Sequence, residues 1–141
     1  MVTLDGKDMV LGRVATYAAK QLLNGKRIEI VNAENMVVTG TRKNVLARFR
    51  QKSQVGVKGN PRKGPKFYRR PDHIVRETVQ GMLPLKTARG RTALKKLRVH
   101  IGNPGKVAGE KLFRVEGAAN RKTEKFLHVK DISAEFGYWV D

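Results

Sequence analysis

The chain has 141 residues, 30 Lys or Arg against 12 Asp or Glu for a net charge of +18, 40% hydrophobic residues and no cysteine. The missing thiols exclude disulfides, thiolate metal sites and cysteine nucleophiles, and no run of roughly 20 apolar residues offers a membrane span. The length suits a single domain, 1–141, that buries roughly 70% of the surface of its unfolded chain, and the opening Met1–Asp8 lacks a signal peptide's basic leader and apolar stretch, so a soluble intracellular protein is expected.

Val2 to Leu4 reads as a short strand. Asp5-Gly6 turns it toward a segment where Leu11, Val14, Ala15, Ala18, Ala19, Leu22 and Leu23 recur at helical spacing, with Arg13, Thr16, Lys20 and Gln21 between them. Gly25 after Asn24 is the expected left-handed stop, and Arg27–Asn32 supplies the next strand. A helix of this length between two strands favours a right-handed crossover, and therefore a parallel sheet with helices packed on its faces. After the short apolar run Met36–Val38, Thr39-Gly40-Thr41 offers an N-cap for a second helix. That helix carries Val45, Leu46 and Phe49 toward the core and Arg42, Lys43, Arg48 and Arg50 around it.

From Gln51 the helical pattern fails. Gly56, Gly59, Pro61, Gly64, Pro65 and Pro71 interrupt any helix or inner strand, so residues 51–71 are expected to form a long basic Gly/Pro-rich binding loop. Pro71-Asp72 opens a third helix, with Asp72 at its positive N-terminal end and Ile74, Val75, Thr78, Val79 and Met82 as its buried stripe. Gly81 and Pro84 bracket its end. Thr87 caps a basic helix that turns Ala88, Ala93, Leu94 and Leu97 inward, and Leu97–Ile101 reads as the next strand, closed by Gly102-Asn-Pro-Gly105. The last thirty or so residues are mixed in charge, and Ile132, Phe136, Tyr138 and Trp139 are expected to clamp residues 123–141 back onto the body.

The positive charge is concentrated. Residues 35–71 hold eleven Lys or Arg and residues 78–109 hold seven, and neither stretch contains an Asp or Glu. A surplus raised for solubility would be interspersed with acids, whereas two acid-free stretches form an electrostatic footprint that a polyanion can follow. Closely spaced phosphates neutralise such a surface while releasing counterions. A membrane surface fits less well, because the loop lacks a broad amphipathic apolar face. Gly and Pro permit the irregular path that folded RNA demands, and Lys66–Arg70 sets two rings among cations, where they can stack on unpaired bases or pack into the core. Arginine adds planar bidentate phosphate recognition. The expected RNA-binding residues are Arg42, Lys43, Arg48, Arg50, Lys52, Lys58, Arg62, Lys63, Lys66, Phe67, Tyr68, Arg69, Arg70, Lys86, Arg89, Arg91, Lys95 and Lys96.

Motifs for catalysis fail in turn. Gly6 and Gly12 lack the G-x-G-x-x-G spacing, and Gly59-Asn-Pro-Arg-Lys-Gly64 has P-loop glycine spacing but is followed by Pro65. His73, His100 and His128 are scattered without a partner at metal-ligand spacing. The acids lie outside the basic stretches, which leaves no convergent acid–base group and makes Asp72 a helix cap. No metal, cofactor or small-molecule substrate is expected.

Leu11-Gly-Arg-Val-Ala-Thr16, Leu23-Asn-Gly-Lys26, Ile30–Glu34, Val38-Thr-Gly40, Arg69-Arg-Pro71, Val79-Gln-Gly-Met-Leu-Pro84, Arg89-Gly90 and Leu97–Gly102 follow one another in an order and spacing that resemble a known family. It is the thirteenth protein of the large ribosomal subunit, and the form is most similar to archaeal members. The resemblance runs nearly end to end. It implies a three-layer α/β/α fold around a four-stranded parallel sheet, binding to large-subunit rRNA in early assembly beside neighbouring ribosomal proteins, a cytoplasmic place in the ribosome, and no catalysis. It also implies phosphate contacts at Arg69, Arg70, Arg89 and Arg91, with Gly81 and Pro84 shaping a helix end. The chain departs from bacterial members in starting almost at the first strand and in carrying His100 where Tyr is expected, so bacterial neighbour contacts are not carried over. Two other readings stand beside this one. An RNA-modifying or nucleotide-dependent enzyme on an α/β scaffold requires a pocket with convergent polar groups, and a free regulatory module requires sequence-selective binding to single strands.

Overall fold

A computed structural model describes residues 1–56, 58–104, 112–121 and 124–140. In chain order the elements are β1 (Val2–Asp5), α1 (Leu11–Leu23), β2 (Ile28–Val31), β3 (Val37–Thr39), α2 (Arg42–Gln54), α3 (Pro71–Gly81), α4 (Ala88–Lys95), β4 (Leu97–Val99), β5 (Leu112–Phe113), β6 (Phe126–His128) and α5 (Val129–Glu135). The fold is α/β, with a four-stranded parallel sheet in the order β4-β2-β1-β5. Gly105, expected to close β4, and residues 123 and 141 of the C-terminal segment lie outside the described residues.

Register places the core. Leu4 stands opposite Ile30, and Ile28 opposite Leu97, so strand alternation puts all four side chains on one face. Each is almost fully buried. The connections β1 to β2 and β2 to β4 step the same way across the sheet, so right-handed crossovers bring α1 and the α3–α4 segment over that face. Accordingly α1 packs along both α3 and α4. Its buried residues Leu11, Val14, Ala15, Ala18, Ala19 and Leu22 are those whose spacing predicted the helix. It ends where Gly25 takes a φ of +87°, a conformation that costs glycine no Cβ clash.

Several local expectations need correction. The helix α2 continues through Gln54, because Lys52, Ser53 and Gln54 end the amphipathic pattern without being helix breakers, and the first glycine comes only at Gly56. Thr41 occupies the N-cap position of α2 but its side chain makes no capping bond, whereas the Thr87 hydroxyl accepts from the Gly90 N–H at 3.2 Å. Met82 falls just past α3 and is exposed, and Leu83 takes the buried place. Ala88 is exposed at the first position of α4. In the C-terminal segment Ile132 is buried and Phe136 packs against the core, but Trp139 is 76% exposed.

A second, two-stranded sheet was not foreseen. β3 and β6 pair antiparallel, with Val38 opposite Leu127. The apolar run at Met36–Val38 thus joins the C-terminal region rather than the main sheet, and β5 supplies the fourth parallel strand.

Candidate nucleic-acid interface

The helix α2 buries only Val45 and Leu46, with Phe49 packed against the core, so its cations Arg42, Lys43, Arg48, Arg50 and Lys52 stay exposed. Three of them take acids from other elements. Arg42 lies 3.7 Å from Glu135 of α5, Arg50 hydrogen-bonds to the same carboxylate, and Lys52 lies 3.8 Å from Glu77 of α3. Exposed pairs of this kind are worth about 0–1 kcal/mol, so a phosphate can displace them. Lys43 and Arg48 make no ion pair with a described residue.

Beyond Gln54 the chain forms one 3₁₀ turn, Pro61–Lys63. Lys58, Arg62, Lys63, Lys66 and Arg69 are exposed and form no ion pair among the described residues. The two rings are half-buried instead. Phe67 packs edge-on against Phe136 with centroids 4.8 Å apart, and Tyr68 packs edge-on against His73 at 5.3 Å. Arg70 donates through Nε and Nη2 to Asp72 at 3.2 and 3.1 Å and lies 5.8 Å from the Tyr138 ring centroid. These contacts pin the segment's end to α3 and to the residues after α5.

On α4 the cations divide. Arg89 donates through Nη2 to the Leu23 carbonyl at 3.1 Å, and Lys96 donates through Nζ to the Gly25 carbonyl at 3.1 Å. Both reach the C-terminal end of α1, where unpaired carbonyls and the negative helix end attract positive charge. Arg91 and Lys95 stand four residues apart on one helix face, exposed and without an acid partner among the described residues. Lys86 is likewise exposed in the preceding turn.

Two arginines that sequence reasoning did not single out, Arg27 and Arg98, come together in the structure. They share a notch of about 470 Å³ with Met1, Glu29, Lys95 and Lys96. Arg98 lies in the acid-free stretch 78–109, but its place in a strand hid it. The signal for Arg27 was only its position just after the helix-terminating glycine.

A separate cleft of about 230 Å³ is lined by Tyr68, Asp72, His73, Arg76, Glu77, Gln80 and Val99. Its charged groups are engaged elsewhere, with Asp72 on Arg70, Glu77 on Lys52 and Arg76 donating to the Leu97 carbonyl at 3.5 Å. Among the described residues no group of His, Asp or Glu could hold a metal ion, and no helix is long and apolar enough to cross a membrane.

The scaffold beneath these surfaces contains a buried acid. Burial alone would raise the carboxyl pKa of Asp5, but hydrogen bonds from Asn32 at 2.8 Å, the Lys7 N–H at 3.0 Å and Arg114 at 3.0 Å outweigh it, and the pKa lies below its ordinary value. The carboxylate ties the end of β1 to the residues that follow β2 and β5.

Comparison with known proteins places the chain among characterised relatives. A family model described as ribosomal protein L13 matches residues 1–106. The large ribosomal subunit protein uL13 of Methanosphaera stadtmanae is 40% identical over 139 residues, covering 97% of this chain and 98% of its own length. The proteins of the same name from Archaeoglobus fulgidus and Methanopyrus kandleri are 39% and 40% identical, each covering 96% of this chain and 86% of its own length.

Proposed function

The chain belongs to the ribosomal protein L13 family, and we propose that it is a structural constituent of the large ribosomal subunit that binds and stabilises folded large-subunit rRNA during early assembly. The observation that carries this reading is a set of exposed cations that no described acid neutralises. Lys43 and Arg48 on α2, Lys58, Arg62, Lys63, Lys66 and Arg69 beyond it, Lys86, and Arg91 and Lys95 on α4 form that set. Like charges held at this density repel one another unless an anion joins them, and RNA phosphates do so with counterion release. Arg42, Arg50, Lys52 and Arg70 hold their elements in place through weak exposed pairs and reach phosphates from there. Phe67 and Tyr68 serve the interface by fixing the path of residues 66–70 against Phe136 and His73. The reading is non-catalytic, and the cleft at Tyr68, Asp72 and Arg76 fits it, since Asp72, Glu77 and Arg76 are engaged in intramolecular contacts. Its setting is the ribosome in the cytoplasm, beside other large-subunit proteins.

Two measurements test it. In sucrose gradients of a native lysate the chain should co-migrate with the large subunit and stay there in moderately high salt; recovery only at the top would overturn the ribosomal assignment. Replacing Arg62, Lys63 and Arg69 together by Gln should flatten the log–log salt dependence of rRNA binding by about 2–3, the value of three phosphate contacts. An unchanged slope would remove these residues from the interface.

A further inference from the structure

Away from α2 and residues 58–70, the notch lined by Met1, Arg27, Glu29, Lys95, Lys96 and Arg98 gathers four basic side chains around one carboxylate. Arg27 lies just before β2, Lys95 ends α4 and Lys96 follows it, and Arg98 lies on β4, an edge strand of the sheet. Glu29 forms no ion pair with any of the four among the described residues, and its single negative charge leaves a surplus of three positive charges in the notch. Arg27, Lys95 and Arg98 make no ion pair with a described residue. Lys96 is held by the Gly25 carbonyl, so its ammonium is set in position before any ligand arrives.

A charged residue on an edge strand has an ordinary explanation, since it blunts pairing with other chains. That explanation covers Arg98 and not the other three. Arg27 comes from the residues before β2 and Lys95 from the last turn of α4, and the fold brings their charges to one concavity at an electrostatic cost. Convergent guanidinium and ammonium groups in a notch of this size match a phosphate, to which Arg presents a planar fork and Lys a point charge. The face of α4 that bears Arg91 and Lys95 leads into the notch, so a strand lying along that helix would place a phosphate there.

We propose that this notch, through Arg27 and Arg98, is a further phosphate-binding site that takes a phosphodiester group of RNA and extends the basic face of α4 past the edge of the sheet. The inference rests on the RNA-binding reading above and adds a site to it. The test uses the full chain, with Arg27 and Arg98 both replaced by Gln, in filter binding to deproteinised large-subunit rRNA over a series of KCl concentrations. The salt slope should fall by about two, with an unchanged melting temperature. If the double variant melts early, Arg98→Gln alone, altered at an exposed position of β4, should lower the slope by about one. Unchanged slopes in these variants, alongside a reduced slope in the Arg62/Lys63/Arg69 variant, would sink the notch and leave the proposed function standing. Wild-type protein that fails to bind rRNA would sink both. Inorganic phosphate titrated against the wild type, followed by amide NMR shifts at Arg27 and Arg98, separates the two sources of the ligand. Shifts with free phosphate but no change in the rRNA slope would overturn the RNA assignment.

Discussion

Replacing Gly90 by Ala tests how α4 is held against the chain that precedes it. A Cβ built at Gly90 would stand 2.1 Å from the Pro84 carbonyl oxygen and 2.5 Å from its carbon. Carbon–oxygen contacts ordinarily begin near about 3.3 Å, so the overlap exceeds an ångström or so. Both sides of the contact are backbone and neither can swing away. The Pro84 carbonyl also accepts from the Thr87 hydroxyl at 2.8 Å and the Thr87 N–H at 3.1 Å, and that hydroxyl caps α4 by accepting from Gly90. Ala gains about 1 kcal/mol over Gly in helix propensity. Against that stand about 1–3 kcal/mol for overpacking and about 1 kcal/mol for a disturbed cap. The net loss of about 1–3 kcal/mol corresponds to a fall in Tm of roughly 3–15 °C for a domain of this size. Thermal melting by circular dichroism reads it directly. Gly81→Ala is the control, because a Cβ at Gly81 meets nothing within 4 Å and should leave Tm unchanged or slightly raised. A Gly90→Ala protein that melts at or above the wild type would refute the close approach of Pro84.

Arg89→Gln should lower Tm by a few degrees, because it removes a cation from the C-terminal end of α1 at a cost of about 0.3–1 kcal/mol. Arg91→Gln should leave Tm alone and lower the rRNA salt slope by about one; the opposite pattern would exchange the roles assigned to the two residues. The depressed pKa of Asp5 makes its contribution to stability full above the unfolded value of 3.8 and lost as pH falls through the folded value. Asp5→Asn should therefore flatten the dependence of Tm on pH below about pH 4, and an unaltered acid limb would show that Asp5 is not the group responsible.

The parts of the fold readable in sequence were those set by local rules. The stripe from Leu11 to Leu22, the stop at Gly25 and the cap at Thr87 each depend on residues within a turn or two of one another. The fourth parallel strand was not readable, because Leu112-Phe113 is two residues long and carries no alternation. The partner of Met36–Val38 was hidden for another reason. Its pairing with Phe126–His128 spans most of the chain, and no local pattern states which distant strand an apolar run will join.

Charge was the most legible feature of the interface and the least differentiated. In the sequence Arg50, Arg89 and Arg91 are equivalent members of acid-free stretches. Folding separates them, because Arg50 meets Glu135 at a separation of 85 residues, Arg89 meets the Leu23 carbonyl across 66, and Arg91 meets no acid among the described residues. An acid-free stretch is therefore not an unneutralised surface, and what marks the binding face is the remainder after distant acids and helix ends have taken their share. By that criterion Arg89 moves toward the scaffold, and Arg27 and Arg98 join the proposed interface. The sequence could not sort them, because the sorting agents are the C-terminal end of α1 and the carboxylates of Glu77 and Glu135, which reach these cations only when the sheet and its helices are assembled.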